Sequence, residues 1–289
     1  MAGSIDITIH RDIPYAIQSE AQKLDIYLIP KREKPCPVIM WIHPGGFHDG
    51  DKDGSANPPL AVVNMIRLIQ PMLERGYAVV SINYRLSQEA VFPALIFDVK
   101  AAVRWIRANA ADYNFHPEKI AAWGSSAGGY LAAMLATTNG VKELDDLSLG
   151  NQEQSGKVLA AVDWFGPTHF LHMDAQHEQL GQEADVHDPE SPESRLMGAP
   201  VMTIPEKCDA ASPVTYVNQD SSPVFIQQGT GDPVIPYPQS IMLAEKMAAA
   251  IGEENVSLEL VKDAGHADPV FFSLENVHKV IDFIDRYMK

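Results

Sequence analysis

A serine between two glycines gives the strongest chemical signal in this 289-residue sequence. The run Gly124-Ser125-Ser126-Ala127-Gly128 follows a short apolar segment ending at Trp123 and precedes small residues typical of a helix. A G-x-S-x-G pattern between a strand and a helix predicts a sharp turn, where glycines avoid clashes that side chains would cause. The turn would hold the Ser126 hydroxyl above the sheet, near the positive end of a helix. Ser126 is therefore the predicted nucleophile, and Ser125 has the wrong glycine spacing.

A serine hydroxyl needs a base to take its proton, and that base needs a carboxylate to orient it. For this type of turn, the chain order is serine, then acid, then histidine. His266 is the predicted base because it lies in a loop after the last strand, whereas His278 lies within the final helix. Asp232 is the predicted acid because it follows the preceding strand, although Asp-Pro can also be simple turn chemistry. The alternatives for the acid are Asp163, Asp263 and Asp268.

A second glycine-rich loop, His43-Pro44-Gly45-Gly46-Phe47, directly follows another apolar run. Acyl transfer passes through a tetrahedral oxyanion, which N–H donors must stabilise. We predict the N–H groups of Gly45, Gly46 and Ala127 as this oxyanion hole. Pro44 has no N–H to donate, and His43 is predicted to brace the loop by hydrogen bonds.

The elements that must position these residues alternate between short apolar runs and helical periodicity. This alternation predicts an α/β protein with a mostly parallel central sheet and helices on both faces. The first 30 residues predict an antiparallel start to that sheet. Predicted strands cover 38–42, 78–82, 119–123, 158–164, 224–228 and 256–261, and predicted helices cover 60–74, 98–110, 127–137, 237–250 and 274–288.

One acidic stretch interrupts the alternation. Residues 141–200 carry twelve acidic and three basic residues, which is −9 of the net charge of −16. We predict a single domain, 1–289. Because the acidic stretch is too long for an ordinary loop, we predict that residues 167–210 form a cap-like excursion over the carboxyl edge of the sheet. A solvated acidic insertion without a role is the alternative.

Aromatic and histidine side chains in and near this stretch raise two further questions. The predicted substrate-pocket residues are Phe47, Trp164, Phe165 and Tyr237, with Phe170, Met173 and Phe271 as further candidates. Each is also a plausible core residue. His169, His172 and His177 with Asp174 and Glu178 match no standard metal spacing, so no metal and no cofactor are expected.

Together these motifs resemble the α/β-hydrolase esterases with a His-Gly-Gly-Gly oxyanion loop. That group includes hormone-sensitive-lipase-like esterases and bacterial acetyl-xylan and feruloyl esterase-like enzymes. Pro44 stands where the first glycine of the loop is expected, and in relatives the later two glycines, here Gly45 and Gly46, supply the donors. The resemblance covers residue 20 to the end and rests also on Asn83-Tyr84-Arg85, Phe92-Pro93-Ala94 with Asp98, Gly231–Pro236, Gly265-His266 and 188–198.

The resemblance implies a serine carboxylesterase that hydrolyses short-chain acyl or aryl esters through an acyl-enzyme, with acetyl or feruloyl esters of plant polysaccharides as a natural substrate class. Two alternatives stay open. One is an amidase or arylformamidase that uses the same three side chains. The other is a non-catalytic binding protein on the same fold, although such a protein usually lacks one of the three.

The amino-acid composition excludes several classes of binding partner and of protein. A net charge of −16 repels nucleic acid, two distant cysteines exclude a disulfide scaffold, and no apolar run is long enough to span a membrane. The first eleven residues lack the pattern of a signal peptide, so a cytoplasmic protein is expected, although a leader removed earlier would leave no trace. The expected partner is a small-molecule or carbohydrate ester, and a homodimer stays open.

Overall fold

A single mixed sheet organises the computed structural model, which describes residues 5–30, 32–55 and 65–289. Its eight strands lie in the order β1-β2-β4-β3-β5-β6-β7-β8. Their bounds are β1 Thr8–Pro14, β2 Lys23–Leu28, β3 Cys36–Ile42, β4 Ala78–Ile82, β5 Phe115–Ser125, β6 Ala160–Trp164, β7 Val224–Gly229 and β8 Val256–Val261.

Pairing direction changes once across the sheet. Strand β1 pairs antiparallel with β2, and β2 pairs antiparallel with β4, whereas all pairs from β4 to β8 are parallel. Strands β4, β6 and β7 are buried along their whole length because helices cover both faces. The predicted mostly parallel sheet with an antiparallel start is therefore confirmed.

Nine α-helices lie within the described residues. Helices α2, α3 and α8 bury apolar residues in the core on one face of the sheet, and α1 and α9 do so on the other. The bounds are α1 Met65–Glu74, α2 Ala94–Ala108, α3 Ala127–Thr137, α4 Met173–Gln179, α5 Pro192–Met197, α6 Pro205–Ala210, α7 Pro213–Tyr216, α8 Pro238–Ile251 and α9 Leu274–Met288.

Most predicted boundaries agree with these elements to within a few residues. Helix α2 begins four residues before its predicted start because Ala94, Leu95 and Ile96 are also buried. The first residues of the predicted helix 60–74 lie outside the described residues. No helix in the described ranges has both the length and the apolar character needed to cross a membrane.

The connection between β6 and β7 is the longest in the described chain. This segment, residues 165–223, which we name the insertion, contains α4 to α7 and short 3₁₀ turns. It includes the predicted excursion 167–210. That this excursion acts as a cap stays a prediction.

Candidate active site

The turn between β5 and α3 places Ser126 in a strained backbone conformation. Ser126 has φ 54° and ψ −120°, a combination that non-glycine residues rarely adopt. A Cβ at Gly124 would lie 2.1 Å from the carbonyl oxygen of Gly128, and one at Gly128 would lie 2.1 Å from that of Ile42. Only glycine fits at either position, so the two glycines allow α3 to pack directly against the turn and against the end of β3.

Ser126, His266 and Asp232 form a continuous chain of hydrogen bonds. The Ser126 hydroxyl lies 3.0 Å from His266 Nε2, and His266 Nδ1 lies 2.8 Å from Asp232 Oδ2. Because an ionised carboxylate can only accept, Nδ1 carries the proton and Nε2 is free to accept from the hydroxyl. Ser126 keeps 9% of its surface exposed, whereas Asp232 keeps 1%. The arrangement therefore has a reachable hydroxyl at one end and a buried carboxylate at the other.

The Asp232 carboxylate is fixed by donors on both oxygens. Oδ1 accepts from the N–H groups of Val234 at 2.8 Å and Ile235 at 2.9 Å. Oδ2 accepts from Gln228 Nε2 at 2.8 Å as well as from the imidazole. These bonds fix the direction of the carboxylate. The structure thus brings together the predicted serine, histidine and acid.

The rival acids do not occupy this place. Asp268 Oδ1 accepts from the Val270 N–H within its own loop. Asp163 is fully buried at the end of β6, where its Oδ1 accepts from the Gly166 N–H at 2.8 Å. Burial raises the pKa of Asp163 to about 7.

Two side chains of the insertion contact the turn that carries Asp232. Gln182 Nε2 donates to the backbone oxygen of Asp232 at 3.0 Å, and His177 Nε2 lies 3.3 Å from the backbone oxygen of Val234. Gln182 is not among the site residues predicted from the sequence, and His177 enters that prediction only as part of a rejected metal site. No motif could have found them, because the contacts join residues 50 and 57 positions apart.

The predicted donors in the glycine loop after β3 have backbone N–H groups without an acceptor among the described residues. Gly45 and Gly46 have φ of +133° and +56°, and neither N–H donates to another described residue. Ala127 opens α3, where the first N–H groups of a helix have no helical acceptor. A Cβ at Gly128 would lie 2.8 Å from the His43 carbonyl oxygen, so the start of α3 packs directly against the start of this loop.

His43 braces the same loop. Its ring stacks on Tyr84 with centroids 4.4 Å apart, and Nδ1 lies 2.7 Å from the Pro44 carbonyl oxygen. The Tyr84 hydroxyl in turn donates to the His43 carbonyl oxygen at 3.1 Å. Burial lowers the pKa of His43, which favours the neutral ring.

The predicted pocket residues lie in different surroundings. Phe165 packs edge-on against His266, with ring centroids 5.0 Å apart. Phe47 contacts Tyr130, and Tyr237, which is partly exposed, directly precedes α8. Their contact with substrate stays a prediction.

Trp164 is fully buried, as is Phe165. The Trp164 ring lies in a cluster with Trp41 and Trp123 on the face of the sheet that α1 and α9 cover. A packing role is therefore the better interpretation for Trp164.

The histidines of the insertion do not converge. His169 and His172 stack on each other with centroids 4.0 Å apart, whereas His177 faces Gln182 and His187 pairs with Asp174. Within residues 5–30, 32–55 and 65–289, no three histidine, cysteine or acidic side chains form a cluster that could hold a metal.

Comparison with known proteins identifies relatives along nearly the whole chain. The BD-FAE family model matches residues 24–247. A solved structure, described as a truncated form of a carbohydrate esterase from gut microbiota, is 31% identical with a TM-score of 0.83, covering 97% of this chain and 96% of that one. A bifunctional GH43-CE protein of Bacteroides eggerthii is 32% identical with a TM-score of 0.82, covering 97% of this chain and 35% of that one.

Curated sequences agree with the structural neighbours. Esterase LipQ of Mycobacterium tuberculosis is 30% identical over 275 residues, which are 94% of this chain and 57% of that protein. The same organism's probable carboxylic ester hydrolase LipM is 29% identical over 252 residues, which are 86% of this chain and 54% of LipM. The chain therefore spans a little over half the length of these curated relatives.

Proposed function

This chain belongs to the BD-FAE family, which confirms the predicted resemblance to α/β-hydrolase esterases, and from that membership we propose that it hydrolyses carboxylic esters through an acyl-enzyme. The observation that carries the proposal is the hydrogen-bonded chain Ser126–His266–Asp232 at a strained turn between strand and helix. In this proposal the three side chains act as nucleophile, base and orienting acid.

The first half-reaction transfers the acyl group to the protein. Ser126 Oγ attacks the ester carbonyl carbon while His266 Nε2 takes the hydroxyl proton. The electron pair of the carbonyl moves to its oxygen, which the N–H groups of Gly45, Gly46 and Ala127 would stabilise. Collapse of this intermediate breaks the ester bond, and the imidazolium returns its proton to the departing alcohol.

The second half-reaction repeats these steps with water. His266 Nε2 takes a proton from the water as it attacks the acyl carbon, and the carboxylic acid leaves as Ser126 recovers its proton. Throughout both steps Asp232 keeps the imidazole in the tautomer that presents Nε2 to the reacting oxygen, and it stabilises the imidazolium. The donors on both oxygens of Asp232 keep this carboxylate aimed at His266.

Short acyl or aryl esters of plant polysaccharides are the substrate class we propose. Support comes from the two structural relatives above, whose descriptions name a carbohydrate esterase and a GH43-CE protein. The net charge of −16 also disfavours polyanionic substrates, which the surface would repel.

A kinetic panel tests the proposal. p-Nitrophenyl acetate, butyrate and octanoate would be compared with acetylated xylan, a feruloylated arabinoxylan fragment and N-formyl-kynurenine, with Ser126→Ala as the control for contaminating activity. We expect turnover of the acetate and butyrate esters to exceed that of the octanoate ester. Turnover of N-formyl-kynurenine without any ester hydrolysis would instead favour the arylformamidase alternative.

A further inference from the structure

We propose that His177 and Gln182 position the acid of the active site from the insertion. We name these two side chains the clamp and residues 230–236 the acid turn. The inference rests on the proposed function, because the clamp would hold the acid turn, and the acid turn carries the carboxylate that would orient His266. It gives part of the insertion a role in catalysis that is independent of substrate binding.

The clamp joins three hydrogen-bonding groups in sequence. Gln182 Oε1 accepts from His177 Nδ1 at 2.9 Å, and Gln182 Nε2 donates to the Asp232 carbonyl oxygen at 3.0 Å. His177 Nε2 lies 3.3 Å from the Val234 carbonyl oxygen, a packing contact, because Nδ1 is the ring nitrogen that donates. His177 is 2% exposed, so water competes little for these contacts.

The end of helix α4 builds this arrangement. Gly181 adopts φ +69°, and its N–H binds the Glu178 carbonyl oxygen at 3.0 Å. The next N–H, of Gln182, binds the His177 carbonyl oxygen at 2.9 Å. These two bonds form a Schellman motif, which folds the residue after the glycine back onto the last helical turn. The motif therefore brings His177 and Gln182 side by side.

The acid turn is held through both its donors and its acceptors. The N–H groups of Val234 and Ile235 bind the Asp232 carboxylate, while the Asp232 carbonyl oxygen accepts from Gln182 and the Val234 carbonyl oxygen packs against the His177 ring. A shift of the turn would move the carboxylate that lies 2.8 Å from His266 Nδ1. Displacements of about 1 Å in an active site can cost on the order of 100-fold in rate.

The first test removes the clamp's donor to the acid turn. We expect Gln182→Ala to lower kcat about tenfold on p-nitrophenyl acetate with KM changed less than twofold, because the clamp orients a catalytic group without touching substrate. Gln179→Ala is the matched control: Gln179 belongs to α4, is exposed and makes no side-chain hydrogen bond to another described residue. If the alanine variant does not fold, Gln182→Met fills the same volume without a donor.

The second test asks whether the effect passes through Asp232. In an Asp232→Asn background, Gln182→Ala should lower kcat less than twofold, since the orientation that it disturbs is already lost. A full tenfold loss in both backgrounds would overturn the proposal and assign Gln182 a general structural role. A wild-type kcat for Gln182→Ala would overturn it as well.

A readout independent of ester turnover separates this inference from the proposed function. The rate at which a fluorophosphonate labels Ser126 measures the reactivity of the hydroxyl directly. We expect the Gln182→Ala labelling rate to fall with kcat. Rapid labelling of a wild-type protein that hydrolyses no ester would refute the proposed function. In that case the labelling rates of wild type and Gln182→Ala would still test the clamp, and equal rates would refute it.

Discussion

Two regions converge on Ser126, and they are built by different means. The turn from β5 into α3 is fixed by backbone packing, where added Cβ atoms at Gly124 and Gly128 would lie 2.1 Å from carbonyl oxygens. The acid turn is fixed by side chains, namely the Asp232 carboxylate, Gln228 and the clamp. Steric exclusion of side-chain atoms therefore fixes the geometry of the first region, and hydrogen bonds fix the geometry of the second.

This difference determines how each region tolerates substitution. A steric constraint fails at once when a methyl group is added, because a carbonyl oxygen cannot move without the helix or strand that carries it. A hydrogen-bonded turn loses its anchors one at a time, and the remaining bonds retain part of the geometry. We therefore expect substitutions at the β5–α3 turn to act on folding and those at the acid turn to act on kcat.

The largest expected effect is that of Asp232→Asn. The amide of asparagine would favour the wrong imidazole tautomer, so we expect kcat to fall about 10⁴-fold with the fold intact. Steady-state kinetics with circular dichroism would measure both. Asp268→Asn is the control, because this carboxylate lies two residues from His266 in sequence yet, among the described residues, accepts only from the Val270 N–H of its own loop. Equal losses in the two variants would contradict the assignment of Asp232.

Gly128→Ala tests the sterically fixed region. Its Cβ would lie 2.1 Å from the Ile42 carbonyl oxygen and 2.8 Å from that of His43. We expect a loss of about 3 kcal/mol in the free energy of unfolding, as for severe overpacking, and a melting temperature lower by roughly 10 °C.

Gly265→Ala provides the comparison for that measurement. A Cβ at Gly265 meets no atom of the described residues within 4 Å. Its melting temperature should stay within about 2 °C of wild type, since open space adds no packing strain. A wild-type melting temperature for Gly128→Ala would contradict the proposal that steric exclusion fixes the turn.

The same division separates what the sequence could predict from what it could not. Local chemistry fixes the turn around Ser126: glycine spacing, an apolar strand and a helix of small residues lie within 20 positions, and the predicted helix 127–137 is confirmed. Chain order was enough to predict that His266 and Asp232 lie near Ser126, because parallel strands end at one edge of the sheet. The clamp depends instead on a tertiary contact between the end of α4 and the acid turn. Neither hydrophobic periodicity nor motif spacing in the sequence predicts such a contact.

Gly46→Ala is expected to have an intermediate effect and tests the loop after β3. Its Cβ would lie 3.1 Å from the His48 ring, at φ +56°. We expect kcat to fall on the order of 100-fold, because a displaced N–H no longer stabilises the oxyanion. Gly140→Ala shares the positive φ, at +75°, in open space, so it should lose similar stability with unchanged kcat. Unaltered kcat in Gly46→Ala would remove its N–H from the oxyanion hole.

The smallest effect concerns the buried acid beneath the β5–α3 turn. Burial raises the pKa of Asp163 to about 7, and its Oδ2 has no hydrogen-bond partner among the described residues. Between about pH 4 and pH 7 the folded state therefore binds one more proton than the unfolded state, so stability falls as the pH rises through this window. Above pH 7 the loss is complete.

Asp163→Asn should remove that pH dependence while it keeps an acceptor for the Gly166 N–H. We expect the unfolding free energy of the variant, relative to wild type, to rise by about 2–3 kcal/mol between pH 5 and pH 8, because the two pH units between pH 5 and the pKa correspond to about 1.4 kcal/mol each. Urea denaturation at each pH measures this difference. Burial raises the pKa of Glu193 in the insertion to about 7 too, so Glu193→Gln should behave alike. Parallel curves for wild type and Asp163→Asn would mean that Asp163 stays ionised, and that the sterically fixed region tolerates a buried charge.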